Sequence, residues 1–454
     1  MSELESLAST ALKKAESGGA SQAEAFVLKS RIRSVYVENS VPRVADDKSE
    51  AGLGLKICFN KRIGFSSGTV NKKSIEEIVK EALRIARATK EDPYFESLPA
   101  GRKISGQLQD AFCKETVETT LEDVLVKVMG IVKTAEEYQY VKVPLGLIRL
   151  AEYSMYVTNS LGVQFHHQGT MVFLHFTAKA TAEGKAGEGI EKKWSTSISK
   201  MHFEKVGSAI AEKALATLKA EPFREKLTLT AVIDPVELSG LLSAVEFAAN
   251  SEQVNKGRSP WIEKLGVEVA GEKFTLLDDG RYPGGIRSAL ADDEGVETGK
   301  KTIIEKGVLK SYIYDSYNAY IADTKSTGNA YRRGTRSIEG AFTSPANCAY
   351  STMIVKPGNK NLDDIISQVD KGVLVETFAS PEVNPITGGF GCEVRNATVI
   401  EKGQLTRHVK HALLIGNMYE ALQNIFDIGK NAETVENAAL PPMAFSEVTL
   451  VGQK

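Results

Sequence analysis

Cysteine is scarce in this chain of 454 residues. Cys58, Cys113, Cys348 and Cys392 lie far apart and none forms a CxxC pair, so there is neither a disulfide framework nor a compact thiolate metal motif, and the pattern reads as a reduced, cytoplasmic protein. Long apolar runs are missing too. No segment reaches the roughly 18 consecutive apolar residues of a membrane span, and the opening MSELESLASTALKK starts acidic rather than basic, which predicts no secretion signal. Charge of one sign is also lacking: 56 basic and 58 acidic side chains are mixed throughout, for a net charge of −2. No basic patch for nucleic acid and no acidic shell follow from that balance. The chain carries no Ser-x-x-Lys with companion motifs and no Walker-type phosphate loop. GLGLK at 52–56 has only two glycines and leads into a further strand, so it reads as a turn.

What is present is enough apolar material, 42% of the residues, to bury two or three domains. Leu4 to Ala15 and Ile75 to Ala88 repeat apolar residues at three and four, and Ser74 with Glu77 forms a capping-box signature. Between them, AEAFVLKSRIRSVYVENSVPRV and AGLGLKICFNKRIGFSSG alternate as antiparallel strands do. A second pass follows: a helix over Thr119 to Tyr138, strands through LIRLAEYSMYVTNSLGVQFHHQGTMVFLHFTAKA, and a helix over Glu204 to Leu218. It echoes the first. From Leu227 onward strands and glycine turns dominate, interrupted by helices at Val236 to Asn250 and around Leu362 to Asp370. The expected fold class is α+β: an N-terminal α+β domain over 1–105, a middle α+β segment over 106–221 and a strand-rich C-terminal domain over 222–454.

Inside that last region, PVELSGLLSAVEFAAN at 235–250 holds no histidine. Around it stand DDEGVETGKKTIIEKGVLKSYIYD at 292–315, STGNAYR at 326–332 and NATVIEKGQLTRHVKHALLIGN at 396–417, preceded by VENSVPRV and GLGLKICFNKRIGFSS near the N-terminus. In this order the segments resemble the TldD/PmbA family across essentially the whole chain. The resemblance implies two subunit types: TldD-type subunits with an HExxxH helix and a later cysteine that bind a metal, and PmbA-type (TldE) subunits that lack these ligands and form a protease complex with a TldD-type partner. This sequence resembles the second type. Anchored on KGRS at 256–259, the two histidine positions fall on Leu242 and Phe247 and the glutamate position on Ser243. Leu and Phe have no lone pair for a metal, and a serine hydroxyl cannot serve as a carboxylate base. The later stretch from Asp427 to Lys454 contains no cysteine.

Other metal-capable residues do not combine into a site. His408 and His411 lie on or beside a strand and His166 and His167 are adjacent in one, so each pair faces apart; Cys392 reads as a small core residue. Glu237 and Glu246 fall on opposite faces of their helix as solvent or interface carboxylates, and Asp292, Asp293 and Glu294 read as a solvated turn. No metal and no cofactor are expected. Tyr312, Tyr314, Tyr317 and Tyr320, then Tyr331 with Arg332 and Arg333, suit either peptide or subunit binding or strand packing. Gly328 and Asn329 suggest a constrained turn beside them. The function so implied is that of a noncatalytic subunit of a cytoplasmic metallopeptidase acting on unfolded or small peptides, a homodimer or hetero-oligomer whose partner is a TldD-type catalytic subunit. The alternatives are a self-sufficient hydrolase with an unrecognised site and a protein-binding regulator.

Overall fold

The computed structural model describes residues 2–70, 74–101 and 103–452. Helix α1 (Glu3–Ser17) starts at Ser2 and helix α2 (Ile75–Ala88) at Ser74, each through a capping box in which the serine side chain and the glutamate three residues on exchange bonds with each other's backbone. Between them run β1 (Gln22–Glu38), β2 (Val41–Phe59) and β3 (Arg62–Thr69). The order then repeats with α3 (Leu121–Glu136), β4 (Val141–Asn159), β5 (Gln164–Ala182), β6 (Lys185–Ser195) and α4 (Phe203–Lys219). The echo in the sequence is thus a structural repeat, helix, three strands, helix.

The two repeats meet at their first strands. β1 pairs antiparallel with β4, from Glu24 opposite Asn159 to Glu38 opposite Leu145, and the sheet runs β3-β2-β1-β4-β5-β6. Alternation gives this sheet two apolar faces. On one, Ala23, Ala25 and Val27 lie under α1 and α2, while Val35, Val37, Ile148 and Val172 lie under α3 and α4. On the other, Phe26, Leu28, Met155, Phe165 and Phe173 pack against Ile286, Ala289, Ile338, Ala341 and Phe342 of the C-terminal region. Each of the buried Val, Leu, Ile, Met and Phe side chains contributes about 1.5–3 kcal/mol.

GLGLK is not a turn but the middle of β2. Its glycines answer to the C-terminal region. A β-carbon on Gly52 would stand 2.3 Å from the Phe342 ring, and one on Gly54 would stand 2.5 Å from the Phe342 carbonyl oxygen. Glycine is used here for close approach, not for a bend.

Beyond the sheet, β7 (Lys226–Ile233), β8 (Lys371–Phe378), β9 (Gly389–Glu401), β10 (Ala412–Asn417) and β11 (Met443–Gly452) close into a barrel in the order β8-β7-β11-β10-β9, with β9 returning to β8. Helix α5 (Pro235–Ala248) is packed with the barrel core. A smaller sheet joins Leu276–Asp279, Lys300–Glu305 and Met353–Val355, from between β7 and β8, to Ala438–Leu440, from between β10 and β11. Among the described residues no helix is long and apolar enough to cross a membrane.

Gly54→Ala is expected to lower unfolding stability by about 1–3 kcal/mol, because the Phe342 backbone cannot retreat as a flexible side chain would; the shift in urea midpoint measures it.

Candidate functional site

Helix α5 begins at Asp234, whose carboxylate accepts the Val236 amide at 2.8 Å, with Pro235 at the first helical position. Its residues are apolar on nearly every side, as a helix sunk in a core requires. Leu242 is 0% exposed and belongs to the same cluster as Leu238, Val245, Val375 and Cys392. Ser243 is exposed, its hydroxyl donating to the Gly240 carbonyl at 2.6 Å, and Phe247 is half-buried. Five residues apart on a helix correspond to about 140° of rotation, whereas four nearly close a turn. Ser243 and Phe247 therefore share the outer face and Leu242 points into the barrel.

A loop lies against that helix. A β-carbon on Gly240 would stand 2.6 Å from Pro381, and the Tyr419 hydroxyl reaches both the Ala244 carbonyl at 3.0 Å and the Pro385 carbonyl at 2.6 Å. Glu237, expected at the surface, is buried instead and Glu246 is half-buried. Burial pushes both carboxyls up. Asp234 goes further: burial, opposed by Lys213, brings it up to about 7.

Among the described residues, no group of three or more His, Cys, Asp or Glu side chains is placed to hold a metal ion. His408 bonds to Thr398 at 2.9 Å, His411 occupies the turn before β10 with φ of 55°, and the Cys392 thiol is buried, which pushes it up to about 11. His166 is exposed and His167 buried, on opposite faces of β5.

The STGNAYR segment is where the polar machinery concentrates. Gly328 has φ of +70° and a β-carbon there would stand 2.6 Å from the Glu297 carbonyl oxygen, so only glycine fits. Asn329, 0% exposed, makes four bonds: to Asp278 at 2.8 Å, the Ala349 carbonyl at 2.9 Å, Lys301 at 2.8 Å and Thr327 at 2.7 Å. Asp292, Asp293 and Glu294 are not a solvated turn. All three are buried: Asp292 accepts the amides of Glu294, Val296 and Ala330, Asp293 accepts the Arg332 amide and faces Arg333 at 3.0 Å, and Glu294 faces Lys56 at 3.2 Å. The Arg332 guanidinium meets Glu24 of β1 and lies over the Phe26 ring at 4.8 Å. The signal missed in the sequence was that the partners, Glu24 and Lys56, are on strands far away in the chain.

The tyrosines divide. Tyr312 is buried, its hydroxyl bonded to the Trp261 carbonyl, with its ring 6.3 Å from that of Tyr314. Tyr317 is half-buried and donates to Asp92 at 2.7 Å.

Family models match nearly the full length: the PmbA/TldA metallopeptidase domain 1 over residues 23–86, the central domain over 68–218 and the C-terminal domain over 226–452. The chain belongs to the TldD/PmbA metallopeptidase family. A metalloprotease of Methanocaldococcus jannaschii is 25% identical, the alignment covering 88% of this chain and 90% of that protein. A PmbA-homologue metalloprotease of Buchnera aphidicola is 22% identical over 94% and 93%. In fold, the chain superposes on TldE from Thermococcus kodakarensis with a TM-score of 0.88 at 24% identity, covering 98% of this chain and all of that one. A Thermotoga maritima protein described as a modulator of DNA gyrase gives 0.86 at 19%, again over 98% and 100%.

Two outcomes test this family member's polar core. Arg332→Met is expected to cost about 3–5 kcal/mol by leaving Glu24 buried beside a lost partner, and E24Q/R332M to recover part of the loss, read by urea unfolding. Asp234→Asn keeps the helix cap. Because the folded carboxyl titrates above the ordinary value of about 3.9, the folded parent binds the proton more tightly and loses stability as pH rises from about 4 to about 7. The melting temperatures of parent and D234N are expected to coincide at acid pH, with D234N the more stable at alkaline pH.

Proposed function

We propose that this chain is the noncatalytic, PmbA-type (TldE) subunit of a cytoplasmic two-component peptidase, and that a TldD-type partner supplies the metal and the hydrolytic step. The observation that carries this reading is the content of α5. Where a catalytic subunit would hold a metal-binding histidine, Leu242 fills the barrel core; Ser243 bonds to its own helix; Phe247 offers an apolar ring. No metal-capable cluster among the described residues takes their place.

On this reading the chain contributes shape. The partly exposed face of α5 with Ser243 and Phe247, and the loop over 380–388 that covers its first half, would wall the space into which the partner presents its metal. Unfolded or small peptides are the substrates that suit an enclosed space of this kind, since a folded domain would not enter. Tyr314 and Tyr317 have ring surface to offer such a peptide; Tyr312, Asn329 and Arg332 are bonded within the chain and would act by holding that surface in position.

The test is cleavage of an unstructured peptide with added zinc, by the purified chain alone and mixed with a TldD-type subunit from the same cell. Activity is expected only in the mixture and is expected to vanish when the partner's metal helix is mutated. Robust cleavage by this chain alone would overturn the proposal in favour of a self-sufficient hydrolase.

A further inference from the structure

A cavity of about 520 Å³ opens between residues 56–99 on the sheet side and residues 252–347 of the C-terminal region. That volume is in the range of small-molecule sites, and a seam between two packed bodies is where such sites form. Its walls include Phe65, Tyr94, Phe95 and Tyr317, and its polar groups include Lys56, Glu294, Asp315 and Ser316.

The charges around it do not cancel. Lys56 is shared between Glu294 at 3.2 Å and Glu24 at 3.7 Å, and Arg332 also meets Glu24, so two bases answer two acids. Lys256 pairs with Glu252. Two carboxylates are left over. Asp92 takes hydrogen bonds from the Tyr317 hydroxyl and the Tyr94 amide, and Asp315 takes both of its bonds, from the Asn318 amide at 2.7 Å and side chain at 2.9 Å, on a single oxygen. Among the described residues neither Asp92 nor Asp315 has an ion pair with a lysine or arginine. Burial and the neighbouring Glu294 push the Asp315 carboxyl up to about 6, the response of a buried acid without its own counter-charge. Beside it Ser316 is 8% exposed; its hydroxyl helps to hold the Glu294 carboxyl down, but its buried oxygen accepts from no donor. Buried polar groups left in this state are uncommon and call for a ligand or an ordered water.

We infer that this cavity binds the protonated amine of a ligand with an apolar body, the ammonium held by Asp315 and Ser316 and the body by Phe65, Tyr94 and Phe95. An ammonium group supplies what the floor lacks: a positive charge for Asp315 and a donor for the free Ser316 oxygen. The aromatic rings favour a cation further through their negative faces. A metal ion does not suit the place, since among the described residues no three metal-capable side chains converge there. A free small-molecule amine and the amino terminus of a peptide share this chemistry, and the titrations below separate them. The site does not depend on the accessory-subunit reading, because binding is measured on this chain alone.

The experiment is calorimetric titration of the full chain with 2-phenylethylamine, with the tripeptide Phe-Ala-Ala and with its N-acetylated form. Saturable binding of the amine-bearing probes is expected, with acetylation weakening the peptide by at least about tenfold, as loss of a charge-assisted bond implies. Binding of phenylethylamine alone assigns free amines; binding of the tripeptide assigns peptide amino termini. Asp315→Asn, which retains the oxygen that caps at Asn318, is expected to weaken binding about tenfold. Tyr94→Ala, at a side chain 58% exposed and therefore harmless to folding, is expected to weaken it several-fold. Equal affinity for free and acetylated peptide, no saturable binding of either amine, or unchanged affinity in a folded D315N would overturn the inference. Should D315N not fold, the acetylation pair and Tyr94→Ala decide it.

Discussion

Glu24 is the constraint around which the molecule is assembled. Its carboxylate is on the first strand, has no exposure to water, and is met by Arg332 from the C-terminal region and by Lys56 from the adjoining strand. A carboxylate removed from water costs several kcal/mol unless opposite charges stand beside it. Glu294 returns the same contact in the other direction, reaching back to Lys56. Burial alone would pull Lys56 down and push Glu294 up; mutual attraction with the neighbouring charges overrides burial in both, leaving the lysine raised and the glutamate lowered. The sheet and the C-terminal region can thus dock in only one register. Sliding either would strand charge in a place with no solvent.

Much else follows from that contact. The Phe342 turn must come down onto β2 for Arg332 to reach Glu24, so Gly52 and Gly54 stand beneath it. Arg332 lies over Phe26, tying the ion pair to the apolar face of the sheet. The buried acids from Asp292 to Glu294 and the fully bonded Asn329 hold the other end of the same segment. Polar residues that a sequence would nominate for binding are in this way consumed in fixing the backbone. Asp315 and Ser316 border the same network and line the cavity with capacity to spare.

The two helix–strand–strand–strand–helix repeats give the platform its width. They join through their first strands, which leaves one broad face for four helices and the opposite face free for the C-terminal region. The barrel is a separate solution to the same problem, with the inner side of α5 packed into its core. A histidine at position 242 would have to exchange a dry apolar neighbourhood for a polar one. Leucine there lets the helix be anchored by packing instead.

Local sequence was sufficient wherever the deciding contacts are local. The helix from Ile75 to Ala88 could be read to the residue, because Ser74 and Glu77 satisfy each other's backbone within one turn and the apolar spacing needs no distant partner. The repeat of element order was legible for the same reason. Glycines at 52 and 54 were not, since their meaning lies in Phe342, nor were the acids at 292–294, whose solvated appearance reverses once Lys56 and Arg333 are brought beside them. What positions 242 and 247 can do was also legible in the sequence: leucine and phenylalanine side chains have no lone pair to give a metal in any fold, because ligation is a property of the atoms a side chain carries. Which charges are buried, which are paired and which are left over was decided only by the tertiary structure, because a charge's environment is set by groups that the chain brings together from far apart.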